Sequence, residues 1–351
     1  MTASSMYIIQ NSYKLNKPLP FLYNNMVRIL YRRGDAVNTE KRLSEAYHNA
    51  KRIYIDENSK YIFFSDIHRG DDSVSDEFTR NQHLLLHALD YYYNMDFVYV
   101  EAGDGDELWE HPKFKHIRLA HSDIFRVIKK FYDAGRLIML YGNHNIFLKY
   151  KPFVKENLYQ FYDEYNQTRV DLLKGIIPIE ALVLKYKSTD QEILVVHGHQ
   201  GDLMNDQFWR LSMLLLRYFW RFMHIVGFEN PSSPARNMDK RHKVEKNYKK
   251  WIKRHKIMLI CGHTHRAKFP KSDELPYFNT GCCINTRGIP GIELIGNQIQ
   301  MVDWRIVADD NGVMRIKRTV MRGPEPIEKY DCKNNPVYND FKTNCSELDD
   351  E

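Results

Sequence analysis

Short apolar runs recur along the chain, and each ends in polar residues. "YIFFSDIH" ends at His68, "FVYVEAGD" at Asp104, "RLIMLYGNH" at His144, "EILVVHGH" at His199 and "IMLICGHTH" at His265. Half-exposed strands alternate apolar and polar positions; these runs do not, which predicts strands buried on both faces. The segments between them are long enough for helices, and that alternation predicts an α/β sheet. Residues 1–57 read as an N-terminal helical extension, with Thr39 a candidate cap for "TEKRLSEAYHNAKRI". Residues 203–256 break the rhythm with two helical candidates joined by "ENPSSPARN". They predict a helical cap inserted into a domain spanning 58–323. After the last run the chain turns strand-rich, with "DNG" a hairpin turn, and 324–351 read as a polar tail.

In open α/β sheets, ligands bind in the crevice outside the carboxyl ends of the strands. At those ends stand Asp66 and His68, Asp104, Asn143 and His144, His197 and His199, and His263 and His265. A single His or Asp after a strand is more often a turn or capping residue than a ligand. Five runs ending the same way are not explained by packing. Carboxylate, imidazole and amide oxygen without thiolate suit Mn, Fe, Zn or similar divalent ions. The donors are too many for one ion and about right for two, and a metal pair needs a bridging carboxylate. Asp104, directly after a strand and Gly103, is the natural bridge. Asp106 and Glu107 are candidates for orienting the ligands from behind. His199 is a candidate for the same supporting role, for substrate contact, or for a structural one.

"SDIH", "GD", "GNH", "HG" and "GHTH", in this order from about Tyr61 to Asn285, resemble the five motifs of the calcineurin-like metallophosphoesterases. The resemblance implies a four-layer α-β-β-α sandwich. It implies one metal on Asp66, His68 and His265, a second on Asn143, His197 and His263, Asp104 between them, and His144 as the catalytic histidine. It also implies hydrolysis of a phosphoester or pyrophosphate by metal-activated hydroxide, with no covalent enzyme intermediate. A helical insert before "GHTH", together with Gly103, Asp104, Glu107 and Trp109, is similar to the UDP-2,3-diacylglucosamine pyrophosphohydrolases. That subgroup implies Mn as the metal and a lipid-linked nucleotide pyrophosphate as substrate. The chain departs from the subgroup at His144, where an arginine is usual, at Arg69 beside His68, and at both termini. A phosphoprotein phosphatase and a phosphodiesterase or nuclease remain alternatives with the same metal chemistry.

The insert bears on the partner. In "FWRLSMLLLRYFWRFMHIVG", Arg210, Arg217, Arg221 and His224 make one basic stripe on an otherwise apolar helix. Such a helix can lie at a membrane surface through 208–228, wall a pocket for an acyl chain, or pack as a plain cap. Arg69, Arg217 and Arg221 are therefore candidate substrate or supporting contacts. The second helix, "DKRHKVEKNYKKWIKRHK", is strongly basic, with a seam of Val244, Tyr248, Trp251 and Ile252.

Composition narrows the rest. At 351 residues and 43% hydrophobic, the chain can bury one sizeable core or two modest ones. Its 51 basic and 45 acidic residues give a net charge of +6, which suits anionic partners without demanding nucleic acid. No recognised nucleic-acid module is present, so nucleic acid is not the expected partner. Five cysteines without a C-x-x-C pair argue against a disulfide framework and for a reducing compartment. Neither a signal peptide nor a charge-free spanning segment is evident. The expected location is cytoplasmic, with peripheral contact at the inner face of the membrane through the insert.

Overall fold

The computed structural model describes residues 35–220, 238–271, 273–335 and 338. The chain runs α1 (Asp35–His48), β1 (Lys51–Ile55), β2 (Lys60–Phe64), α2 (Gln82–Asn94), β3 (Val98–Ala102), α3 (Phe114–Ala120), α4 (Ser122–Asp133) and β4 (Leu137–Leu140). It continues through α5 (Lys151–Asn157), β5 (Gln160–Asp163), β6 (Thr168–Asp171), β7 (Ala181–Tyr186), β8 (Glu192–Val196) and α6 (Trp209–Leu215). It closes with α7 (Met238–His255), β9 (Met258–Cys261), β10 (Tyr277–Asn279), β11 (Ile289–Ile295), β12 (Gln298–Ala308) and β13 (Met314–Pro326). Each of the five apolar runs forms a strand: β2, β3, β4, β8 and β9.

Those strands divide between two sheets. One is six-stranded, in the order β13-β12-β11-β2-β3-β4; the other is five-stranded, in the order β1-β7-β8-β9-β10. β2, β3 and β4 are mutually parallel, and so are β8, β9 and β10. Each sheet therefore brings the carboxyl ends of its parallel strands to one edge.

Continuous apolar runs are explained by burial on both faces. Phe63, Val100 and Leu140 point between the sheets, where they meet Leu182, Val195, Ile260 and Phe278. Phe64, Tyr99 and Met139 face the other way, onto Leu85 and Leu89 of α2 and Phe125, Ile128 and Phe131 of α4. Behind the second sheet, Val183, Leu194 and Leu259 pack on Leu43 of α1 and Tyr248, Trp251 and Ile252 of α7. The result is the expected helix–sheet–sheet–helix sandwich. The "DNG" turn joins β12 to β13, with Gly312 at φ +78°, a region an L side chain rarely adopts.

Three segments sit differently from the sequence reading. β1, assigned to the N-terminal extension, is an edge strand pairing in parallel with β7. The basic helix α7, assigned to the cap, is part of the outer layer. Its apolar seam lies on the sheet, and Trp251 Nε1 donates to Ser44 Oγ of α1 at 3.0 Å. At the other end, β13 extends to Pro326, and Ile327 and Tyr330 are buried between the sheets, so the polar tail begins inside the core. Among the described residues, no helix is long and apolar enough to cross a membrane.

Candidate metal centre

Past the ends of β2 and β3 the chain stays paired. Ile67 and His68 donate their backbone N–H groups to the Asp104 carbonyl at 2.9 Å, and Arg69 donates to the Gly105 carbonyl at 2.9 Å. This ladder turns Asp66, His68 and Asp104 into one rigid ledge. The second sheet is tied to its own loops the same way: Gly262 N donates to the His197 carbonyl at 2.8 Å. Asp66, His68, Asp104, His263 and His265 all have positive φ, between 50° and 66°. Non-glycine residues there cost on the order of 1 kcal/mol each, a strain that is held where side chains must converge. Two glycines allow the close approach. A Cβ on Gly142 would overlap the Asp104 carboxylate, and one on Gly262 would overlap Ser65 and Asp66.

The ledge brings together three groups of side chains with ligand-type atoms: Asp66 with His68 and His265; His68 with Asp104 and His144; Asp104 with His197 and His263. His265 Nε2 lies 3.1 Å from Asp66 Oδ1 and 3.2 Å from His68 Nε2. His197 Nε2 lies 2.9 Å from Asp104 Oδ2. The other Asp104 oxygen accepts the backbone N–H of His144 at 2.8 Å. Asp104 and His68 each belong to two of the three groups.

The donor set fits divalent cations on a structural test as well as on type. Asn143 Oδ1 is buried and has no hydrogen-bond partner among the described residues. Such atoms are costly unless a ligand completes them. The ring partners leave the lone pairs facing inward. His197 Nδ1 lies 3.2 Å from the Ala102 carbonyl, and His68 Nδ1 lies 2.7 Å from Glu107 Oε2, so each donates from Nδ1 and keeps Nε2 free. His263 Nε2 lies 3.3 Å from Asp202 Oδ2, which leaves its Nδ1 with the lone pair.

Charges in this corner are held by their neighbours. Burial raises the Asp66 carboxyl, but His265 and His197 outweigh it and bring it down to about 2. Burial acts the same way on Asp104, and His197 and His144 hold it well below the usual carboxylate range. His144 would be lowered by burial, yet Glu107 and Asp104 push it up to about 9. Its ring stacks on Trp109 at 4.4 Å between centroids and meets His68 edge-on at 4.7 Å.

The remaining candidates are placed less centrally. Glu107 supports two rings at once, through His68 and His144. Arg69 is fully buried, with two donors on Glu101 at 2.8 and 2.9 Å and Nε on Asp106 at 2.8 Å. It braces the ledge and is not placed to touch substrate. His199 joins none of the three groups; both its ring nitrogens are buried without hydrogen-bond partners among the described residues, and burial pushes it down to about 3. Arg217 turns inward, donating from Nε to the Trp109 carbonyl at 2.7 Å and from Nη2 to the Leu108 carbonyl at 3.0 Å. It is therefore not part of a basic stripe free to meet lipid. Arg221 and His224 lie outside the described residues.

Two supports escaped the sequence reading. Asp202 holds His263, and Ser65 donates to Asp66 while lying 2.6 Å from Thr280 Oγ1. A carboxylate three residues after His199, in "HGHQGD", was the available signal for Asp202.

No family model matches the chain, and no curated protein matches it. Among solved structures, it is similar to vacuolar protein sorting 29 from Cryptosporidium parvum, at 12% identity and a TM-score of 0.32, over 76% of this chain and 100% of that one. It is also similar to Vps29 from Chaetomium thermophilum, at 9% identity and a TM-score of 0.32, over 76% of this chain and 96% of that one. At such similarity neither carries an assignment, and the functional reading rests on this chain's own side chains.

Proposed function

We propose that the chain is a dinuclear metal-dependent phosphohydrolase. One observation carries this reading: Asp104 shares one group of ligand-type atoms with His197 and His263 and another with His68 and His144, and His68 also groups with Asp66 and His265. Asp66, His68 and His265 would hold one ion, Asn143, His197 and His263 the other, and Asp104 both. Bound divalent ions there would supply an activated water at neutral pH and Lewis-acid polarisation of the phosphoryl oxygens.

The chain's own groups supply the rest. His144 Nδ1 faces Glu107 at 2.6 Å, so its outward proton is on Nε2, where it can pass to the leaving oxygen. Trp109 covers one face of that ring. Glu107 fixes His68 and His144 together, so ligand and proton donor share one orientation.

For the substrate, the segment above Trp109 is informative. Trp209, Met213, Leu215 and Leu216 pack toward Trp109, while Phe208, Leu211, Leu214 and Tyr218 are exposed. An apolar surface beside a phosphate-type site favours a substrate with a lipid portion, such as UDP-2,3-diacylglucosamine, with Mn as the first metal to try. The same surface would serve peripheral contact with a membrane. A phosphoprotein phosphatase or a phosphodiesterase is the alternative.

The test is a product assay by mass spectrometry with Mn-loaded protein and its Asp104→Ala variant. The panel holds UDP-2,3-diacylglucosamine, plain nucleotide sugars, a phosphodiester, a phosphomonoester and short DNA. Mn-dependent hydrolysis lost in the variant supports the reading, and preference for the acylated nucleotide sugar supports the lipid-linked substrate. Turnover of the small esters alone retires the lipid portion. No turnover of any panel member overturns the phosphohydrolase reading.

A further inference from the structure

A cavity of about 690 Å³ opens between α3, α5 and the β5–β6 hairpin, and it shares no residue with the metal-type groups. Its apolar walls include Phe114, Tyr159 and Phe161, and its volume is that of a small-molecule site. Its charge is one-sided. Arg118, Lys155, Arg169, Lys115 and Lys174 line it, against Glu156 alone. Lys115 is paired with Glu164 at 2.7 Å and Lys174 with Asp171 at 3.2 Å, which leaves Arg118, Lys155 and Arg169 as the available cations.

Arg118 is the unusual one. It is only 7% exposed, yet its guanidinium makes no ion pair or hydrogen bond among the described residues. Its one close partner is the face of Phe161, 3.9 Å from Cζ to the ring centroid. The acids nearest in charge, Asp163 and Glu164, are engaged elsewhere: Asp163 caps its own turn through the Tyr165 and Asn166 N–H groups, and Glu164 pairs with Lys115. A ring face offsets part of the cost of burying a cation but accepts few of its five N–H donors. A planar, multidentate anion would complete it.

We propose that this cavity is a second ligand site, for a small phosphate-bearing aromatic molecule of the nucleotide class. The phosphates meet Arg118, Lys155 and Arg169, and the flat body lies against the aromatic walls. The site is independent of the phosphohydrolase reading, since it uses none of the same side chains.

Calorimetry tests it on Asp104→Ala protein in EDTA, where the metal-type groups cannot contribute. The probes are ADP, adenosine and inorganic phosphate. ADP should bind, with adenosine and phosphate each weaker. Arg118→Met should weaken ADP about tenfold or more, as should Lys155→Glu with Arg169→Glu. The rim pair is exposed, so it decides the matter if Arg118→Met does not fold. The proposal is overturned if ADP fails to bind, if the rim pair leaves ADP affinity unchanged, or if phosphate alone binds as tightly as ADP.

Discussion

The Glu107 carboxylate lies 2.6 Å from Nδ1 of His144, and the same oxygen lies 2.7 Å from Nδ1 of His68. One buried acid thus sets the tautomer of a candidate metal ligand and the charge of a candidate proton donor. With the carboxylate in place and no metal bound, His144 is pushed up to about 9. Glu107→Gln removes the negative charge, and the His144 pKa should fall toward the ordinary imidazole value. NMR titration of the ring in EDTA-treated protein measures this directly. The same variant should bind metal about 10–100-fold more weakly, because His68 loses its supporting partner. An unchanged His144 pKa would mean that Glu107 does not govern that ring.

Arg69 is a candidate substrate or supporting contact in the sequence, and its burial fits the supporting role. It pairs with both Glu101 and Asp106 inside the protein. Arg69→Met leaves both carboxylates buried without their cation and should cost about 3–5 kcal/mol in urea denaturation. Adding Glu101→Gln should recover part of that loss. A cost below about 1 kcal/mol would show that the brace is not needed.

Asp76 lies 2.8 Å from His121 Nε2, and both side chains are fully buried. Burial raises the Asp76 carboxyl, but His121 and the backbone N–H groups of Asp72 and Gly70 outweigh it, so it sits below its usual 3.8. A depressed folded pKa contributes stability above the unfolded value and loses it as pH falls through the folded one. The stability gap between wild type and Asp76→Asn should be full near about pH 5 and narrow below about pH 4. A gap that widens on acidification would contradict the pairing.

The strands and the clustering of polar side chains at their ends were legible because each strand is a short apolar run with its polar residues at the end. Burial on both faces removed the alternation, and the parallel order put all the ends at one corner. The brace around Arg69 was less legible, although Glu101 inside "FVYVEAGD" is a carboxylate in an otherwise apolar strand. Such a residue calls for a buried cation. The place of α7 was not legible at all. Its lysines signal a solvated face, but nothing local says whether Tyr248, Trp251 and Ile252 cover a substrate or a sheet. β1 escaped for the same reason: its partner β7 is more than a hundred residues away, and strand pairing is not a local property.

Arg217 shows how the insert is tied to the centre. Its guanidinium holds the Leu108 and Trp109 carbonyls, and the Trp109 ring lies on His144. Arg217→Ala should free that loop and lower turnover while leaving metal content unchanged. Loss of metal together with activity would place Arg217 in the fold of the centre instead.

The central claim is that these side chains hold two ions and that Asp104 joins them. Metal analysis by inductively coupled plasma mass spectrometry, on protein loaded with Mn and then desalted, tests it most directly. The account predicts two ions per chain in the wild type and at most one in Asp104→Ala. One ion or none in the wild type, or two retained in the variant, would contradict it.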